Sequence, residues 1–307
     1  MSVEVALPVM AARSGDVPEY VVVSGKGGTG KTSVSAAFAA LEPSLVLADC
    51  DVDAANCHLV LEPTVRRRTD FVAGADARVR IGDCDGCGVC ADVCAYDAIR
   101  MTPDGYPEVD PLSCEGCRVC ARLCPTRAID MVPRHCGELF VSDTRRGPMV
   151  HARLGLAQES SGKLVSAVRS AARAVATDNG ASAVLVDGPP GIGCPVIAAI
   201  TGAAAVLVVT EPTVSGAHDL SRVLELARHF GIPAAVTVNR WDLHPAGAGR
   251  IEAAARLVGA RVLSRIRFDP SVTRAQVAHT TVVEHGGGAA DDIRAVWREW
   301  MKTVPAA

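Results

Sequence analysis

The chain has 307 residues, of which 21% are charged, and a formal net charge of −3. That balance gives no electrostatic case for nucleic acid or an acidic membrane surface as a partner. No apolar run is long enough for a membrane span, and the length suits one large α/β domain with a small insert.

Residues 1–18 carry a short apolar patch without a basic n-region or a long apolar h-region. They read as an extension ahead of the first core strand and not as a signal peptide. Tyr20-Val21-Val22-Val23 then reads as a buried strand. Gly25-Lys26-Gly27-Gly28-Thr29-Gly30-Lys31-Thr32 fits G-x-x-x-x-G-K-[ST], and the Ala-rich run Ser33–Leu41 reads as a helix. Strand, glycine loop and helix in that order make a phosphate site. The glycines let successive N–H groups turn inward, and the helix N-terminus adds partial positive charge. Lys31 is expected on the β- and γ-phosphates of ATP and the Thr32 hydroxyl on Mg²⁺. The chain has 31 basic residues but only four lysines, and two of those, Lys26 and Lys31, fall in this loop. A compact ammonium suits a crowded phosphate better than a guanidinium does.

Leu45–Asp49 is a second buried strand, ending in Asp49-Cys50-Asp51-Val52-Asp53. Carboxylates at the C-terminal end of a parallel strand face the ligand crevice, although some of the three serve as helix-capping acids. Residues 62–83 are ambiguous. Arg66-Arg67-Arg68 reads as a solvated charge run and Phe71–Gly74 as a short strand.

Residues 84–101, CDGCGVCADVCAYDAIRM, and 114–131, CEGCRVCARLCPTRAIDM, are repeats offset by 30 residues. Each is C-x₂-C-x₂-C-x₃-C with an Ala-Ile-x-Met tail, the pattern of bacterial two-cluster ferredoxins, in which the fourth Cys ligates the other cluster. Cys84, Cys87, Cys90 and Cys124 are therefore expected to hold one [4Fe–4S] cluster. Cys114, Cys117, Cys120 and Cys94 are expected to hold the second. Zinc is the rival for C-x₂-C pairs, but it does not account for the doubled four-Cys unit. Pro125 follows Cys124, whereas Ala95 follows Cys94, so the second cluster's surroundings depart from the pattern. Clustered cysteines beside an ATP motif point to a reducing cytoplasm and not to a disulfide scaffold.

Residues 137–152 alternate and return the chain to the sheet. A helix is expected over Ser160–Thr177, then a strand over Ala183–Asp187 followed by Gly188-Pro189-Pro190-Gly191. An acid ending a hydrophobic strand after a P-loop is the Walker B arrangement, which assigns Asp187 to Mg²⁺ support. Strands follow at Ala205–Thr210 and Ala234–Asn239, with helices at Ser215–Phe230, Gly249–Gly259, Arg274–Ala278 and Asp291–Met301.

With Lys26 in place, the sequence resembles the deviant Walker A ATPases of the MinD/ParA/Mrp group, which include the nitrogenase iron protein. Over nearly its whole length it resembles MinD-superfamily P-loop ATPases with an inserted ferredoxin domain. The resemblance implies a doubly wound, mostly parallel α/β sheet from residues 19–79 and 133–307, with the insert at 80–132. It implies a homodimer in which Lys26 reaches the partner's nucleotide, Asp51 positions the attacking water and Asn56 lies near the nucleotide face. Gly188, Pro189 and Gly191 become a γ-phosphate-sensing switch, and Asn239-Arg240 the adenine contact. It assigns no firm role to Asp49 or Asp53.

The same comparison offers Cys194 as a cluster ligand, but a small buried hydrophobe is the preferred reading for it, as for Cys50 and Cys57. His135-Cys136 reads as a loop feature. Arg145, Arg146 and His151 read as solvated, with contact to clusters or nucleotide as the alternative. The terminal helix lacks the basic face that anionic lipid requires, so it is expected to pack on the ATPase body. Three roles fit: nucleotide-gated electron transfer with a redox partner protein, an Fe–S carrier or maturation scaffold, and a MinD/ParA-type spatial organiser.

Overall fold

The computed structural model describes residues 17–52, 55–155 and 162–304. Residues 1–16 of the expected N-terminal extension, and Asp53, lie outside them. The chain forms two units: one of Met1–Arg68, Leu139–Arg153 and Ser160–Ala307, the other of Thr69–Glu138 and Leu154–Glu159.

β1 (Glu19–Ser24) leads through the glycine loop into α1 (Lys31–Leu41), β2 (Leu45–Asp49) and the short α2 (Cys57–Leu61). β3 (Thr64–Val79) then carries the chain into the second unit. There α3 (Val89–Asp92), β4 (Ile99–Met101), β5 (Pro107–Val109) and α4 (Val119–Leu123) follow. β6 (Ile129–Thr144) returns the chain, and a turn at Arg145-Arg146 leads to β7 (Gly147–Leu154).

The rest of the first unit alternates. α5 (Gly162–Asn179), β8 (Ala183–Pro190), α6 (Cys194–Ile200), β9 (Ala205–Thr210) and α7 (Val214–His229) come first. β10 (Ala234–Val238), α8 (Pro245–Leu257) and β11 (Arg261–Val262) follow. α9 (Ser271–Val277), α10 (Val282–His285) and α11 (Gly288–Met301) close it.

The sheet order is β11-β10-β9-β1-β8-β2-β7-β6-β3. The pairs from β11 across to β7 are all parallel. β1, β2, β8, β9 and β10 are buried along nearly their whole length, as strands covered on both faces must be, whereas β7 and the short β11 are only partly buried. This is the mostly parallel α/β sheet that the sequence implies. Parallel register sets Asp49 opposite Asp187 and Val22 opposite Asp187, so the ends of β1, β2 and β8 come together beneath the glycine loop.

One side of the core is closed by aromatic packing. Phe38 of α1 lies 4.8 Å from Trp297 and 5.9 Å from Trp300 between ring centroids. Tyr20 of β1 meets Trp300 edge-on. Trp300 is fully buried and Trp297 nearly so, so α11 turns its apolar face onto the body of the first unit, as expected. On another side the buried carboxylate of Glu19 accepts from Arg169 of α5 at 2.6 Å and from Arg173, an ion pair that periodicity did not reveal.

Several expectations change. The ambiguous stretch 62–83 is mostly one 16-residue strand, β3, in which Arg66, Arg67 and Arg68 are exposed. The second unit is wider than residues 80–132, because the flanking lengths of β3 and β6 belong to it. Its core is Ala77, Ala98, Ile99 and Ile129 together with the buried cysteines Cys90, Cys114 and Cys120. β4 and β5 pair antiparallel, Ile99 opposite Val109. Gly116 has φ +63°, and a Cβ there would lie 2.2 Å from the Ala75 carbonyl oxygen, so no side chain fits.

Candidate functional site

The glycine loop leaves β1 at Ser24 and ends where Gly30, at φ 91°, starts α1 with no side-chain cap. The first N–H groups of α1 are thus left for an incoming anion. A cavity of about 640 Å³ opens over them, lined by Gly27, Gly28, Thr29, Gly30, Lys31 and Thr32 with Asp51, Asn56, Asn239 and Arg240. That volume is typical of a small-molecule site. Among the described residues, the buried Thr29 hydroxyl has no hydrogen-bond partner, as expected of a group that a ligand satisfies.

Lys31 is buried, with Nζ 3.0 Å from Asp187 Oδ1, 3.3 Å from Asp51 Oδ2 and 3.4 Å from the Thr32 hydroxyl. Burial alone would lower its pKa, but the carboxylates of Asp187 and Asp51 outweigh burial and raise it. The hydroxyl and two carboxylates that converge on this ammonium are the hard oxygen donors that Mg²⁺ takes. Asp187 also accepts from Ser35 Oγ at 2.8 Å.

Asp49 lies under this group, fully buried. Burial and the neighbouring Asp187 push its carboxyl up to about 7. The amides of Asp51 and Cys57 donate to it, each at 3.3 Å. Cys57 is buried and donates to Asp187 Oδ2 at 3.6 Å. Burial, with Asp49 and Asp187 adding to it, raises its thiol well above the ordinary value. Cys57 is therefore more than a small hydrophobe, whereas the buried Cys50 thiol lies 3.9 Å from the Val165 carbonyl.

Lys26 turns to its own chain. Its Nζ is 3.4 Å from Glu211 Oε2, 3.2 Å from Thr213 Oγ1 and 3.3 Å from Ser215 Oγ. Arg240 pairs with the same Glu211. Asn239, expected at an adenine, has its side-chain amide 2.7 Å from the Thr29 carbonyl, so it braces the glycine loop while lining the cavity.

Other expected residues support the loop from outside the cavity. Gly25 packs against Asp219, where a Cβ would sit 2.4 Å from that residue's own Cβ. Gly188 packs against Val22 and Val23 of β1. Pro189 lies within β8, and the Gly191 amide donates to the Ser24 carbonyl at 2.9 Å; of this segment, Pro190 lines the cavity.

Glu211, Ser35, Phe268, Asp269 and Gln276 also belong to this neighbourhood and were missed from sequence. Glu211 follows a buried strand just as Asp187 ends one, which was a usable signal. Phe268-Asp269-Pro270 reads only as a turn.

In the second unit, eight of the chain's twelve cysteines sort into two groups of four. Cys84, Cys87, Cys90 and Cys124 line one small cavity, and Cys94, Cys114, Cys117 and Cys120 line another. All are free thiols. Among the described residues, the group of three or more His, Cys, Asp or Glu ligand atoms within 4.8 Å of one another is Asp49, Cys57 and Asp187. The Ala128 amide donates to Cys124 Sγ at 3.3 Å.

The remaining candidates mostly moved. Cys194 is exposed at the start of α6 and is not a buried hydrophobe. Cys136 is buried and donates to the Ala73 carbonyl at 3.1 Å, while His135 faces Asp70 at 3.3 Å. Arg145 and Arg146 are not simply solvated: both clamp Glu284, at 3.0 and 2.7 Å. The Glu284 carboxyl is partly buried, which would raise its pKa, but hydrogen bonds from Arg145 and Thr281 hold it well below the usual range. His151 is half-buried against Phe140, with Nε2 3.1 Å from the Ser142 hydroxyl. Among the described residues, no helix is long and apolar enough to cross a membrane.

The sequence matches the model of the CobQ/CobB/MinD/ParA nucleotide binding domain over residues 20–282. The uncharacterised protein MJ0578 of Methanocaldococcus jannaschii is 33% identical over 229 residues, 74% of this chain and 79% of that protein. Among solved structures, the cell division ATPase MinD of Pyrococcus furiosus is 20% identical with a TM-score of 0.57, covering 94% of this chain and 99% of that one. MinD of Pyrococcus horikoshii, complexed with Mg-ADP, is 18% identical with a TM-score of 0.58, covering 93% of this chain and 96% of that one. With the glycine loop, the β8 acid and the parallel sheet in one arrangement, the chain belongs to the CobQ/CobB/MinD/ParA nucleotide-binding domain family.

Proposed function

We propose that the protein is a cytoplasmic, Mg²⁺-dependent ATPase that works as a homodimer. Its two cysteine quartets hold [4Fe–4S] clusters, and nucleotide turnover gates electron transfer to or from a partner protein. The observation that carries the redox half is the sorting of eight cysteines into two four-thiol cavities with the fourth Cys exchanged between loops. The clusters supply one-electron storage when bound.

For the ATPase half, the loop amides and the Lys31 ammonium take the phosphates, and Asp51 orients the attacking water. Hydrolysis then runs by positioning and charge stabilisation. Thr32 and Asp187 would hold Mg²⁺, which would neutralise phosphate charge. Lys31 lets go of Asp51 and Asp187 as the phosphates arrive. Arg240 and Asn239 border the base end of the cavity. The coupling has a covalent route: Asn56, Leu59 and Val60 line the nucleotide cavity, and β3 begins three residues beyond α2 and leads to Cys84. The buried face of α11 weighs against a lipid-bound spatial organiser.

The test is anaerobic cluster reconstitution followed by EPR-monitored redox titration with and without MgATP, using Lys31→Ala as control. MgATP is expected to shift cluster potential or electron-transfer rate in the parent protein and to have no effect in the variant. Clusters that ignore nucleotide throughout would sink the gating; absence of iron and sulfide would sink the redox reading.

A further inference from the structure

The two cysteine loops are repeats, so each position in one has a counterpart 30 residues on in the other. Gly88 starts α3 with φ 75°, and its counterpart Arg118 starts α4 with φ 67°. Left-handed backbone suits glycine and strains other residues. An arginine is thus kept where the fold prefers glycine. Its side chain is exposed and makes no ion pair among the described residues, so packing does not account for it.

Among the residues that line the two cavities, the charges differ by Arg118; Arg134, which donates to the Cys114 carbonyl, is paired with Asp76. Asp85 is the charged residue lining the cavity of Cys84, Cys87, Cys90 and Cys124. Its counterpart Glu115 lines the other cavity, and Arg118 lines it too. Asp92 and Asp97 also have basic counterparts, Arg122 and Arg127, but none of the four lines either cavity. The one reversal of opposite sign, Arg100 for Asp130, is neutralised locally: Arg100 pairs with Glu108, and Asp130 with Arg80.

A fixed positive charge favours the reduced, more negative state of a nearby cluster and raises its potential. We propose that Arg118 makes the two clusters unequal, so that the one held by Cys94, Cys114, Cys117 and Cys120 has the higher reduction potential and is reduced first. This rests on reading the quartets as [4Fe–4S] sites. Because Arg118 is exposed, the gap between potentials narrows as salt rises.

The experiment is an EPR-monitored redox titration of the reconstituted full chain. The parent protein is expected to show two separated midpoint potentials. Arg118→Gly copies Gly88 and relieves the left-handed strain; it is expected to lower the higher potential towards the other. Arg118→Lys is expected to keep the gap, and Gly88→Arg to raise the lower potential. A gap unchanged in Arg118→Gly, with both clusters intact by iron and sulfide analysis, overturns the assignment. Iron and sulfide absent from the parent protein instead overturn the cluster reading beneath it.

Discussion

Lys26 Nζ lies 3.4 Å from Glu211 Oε2, and Arg240 holds the same carboxylate from the other side. The lysine that the family resemblance assigns to a partner's nucleotide is therefore engaged within its own chain. Its side chain is 31% exposed, and a partly exposed pair of this kind contributes at most about 1 kcal/mol. In the proposed homodimer, a nucleotide phosphate offered by the second copy would outcompete so weak a pairing.

Neutralising the carboxylate frees Lys26 at little structural cost. Glu211→Gln is expected to lower the protein concentration needed for ATP-dependent dimerisation by up to about fivefold, the equivalent of 1 kcal/mol. Lys26→Ala is expected to remove that dimer and to cut turnover by about 10³-fold, the scale of a charge supplied in trans. Sedimentation velocity with and without ATP separates the two variants. Dimerisation of Lys26→Ala equal to the parent's contradicts a role in trans.

Asp51 shares the Lys31 ammonium with Asp187. Asp51→Asn preserves size and hydrogen bonding but not the carboxylate. It is expected to lose hydrolysis by at least about 10²-fold while ATP affinity stays within a few-fold. Phosphate release and equilibrium binding of a fluorescent ATP analogue are the measurements. Full turnover in the variant removes Asp51 from the mechanism.

His151 gives the fold an acid-side weakness. Burial, with His58 as a lesser cause, lowers its pKa from 6.5 to about 4. The unfolded chain takes up a proton as pH falls below 6.5, while the folded chain refuses it until about 4. Stability from this residue is thus fully present above pH 6.5 and is lost as pH falls towards 4. In urea titrations, His151→Phe is expected to gain stability relative to the parent between pH 7 and pH 5. A pH-independent difference shows that His151 does not remain neutral in the fold.

Trp300 is fully buried against Phe38 and Tyr20. Trp300→Ala is expected to destabilise the first unit by about 3–5 kcal/mol, read from urea denaturation of its tryptophan and circular dichroism signals. A loss below about 1 kcal/mol means that α11 is not part of the core.

The fourth cysteine of each loop tests the crossing. Cys94→Ser is expected to alter the same cluster EPR signal as Cys117→Ser, although their loops are different. Cys124→Ser is expected to pair with Cys87→Ser in the same way. Signals that group by loop instead refute the exchange.

Local patterns explain what was legible. The glycine loop, the acids ending β2 and β8, the buried strands and the eight spaced cysteines are contiguous or periodic signals, set by backbone conformation and burial within a few residues. The 16-residue β3 was not legible, because its exposed Arg-rich half lacks the alternation that marks a half-buried strand. Cys194 was misread because a small apolar-flanked cysteine at a helix start carries no local sign of exposure. Arg145, Arg146 and His151 were read as solvated because their partners, Glu284 and Ser142, stand elsewhere in the chain.

The sequence by itself determined that a phosphate loop stands ahead of a parallel α/β sheet and that two four-cysteine repeats interrupt it, since each depends on neighbours in the chain. Only the tertiary structure decided how distant groups meet. It gave Lys26 to Glu211, Asn239 to the Thr29 carbonyl, and the Cys57 thiol to Asp187. Those pairings arise from parallel strand register and from loops converging at one end of the sheet, which fix side chains well over a hundred residues apart within hydrogen-bond reach.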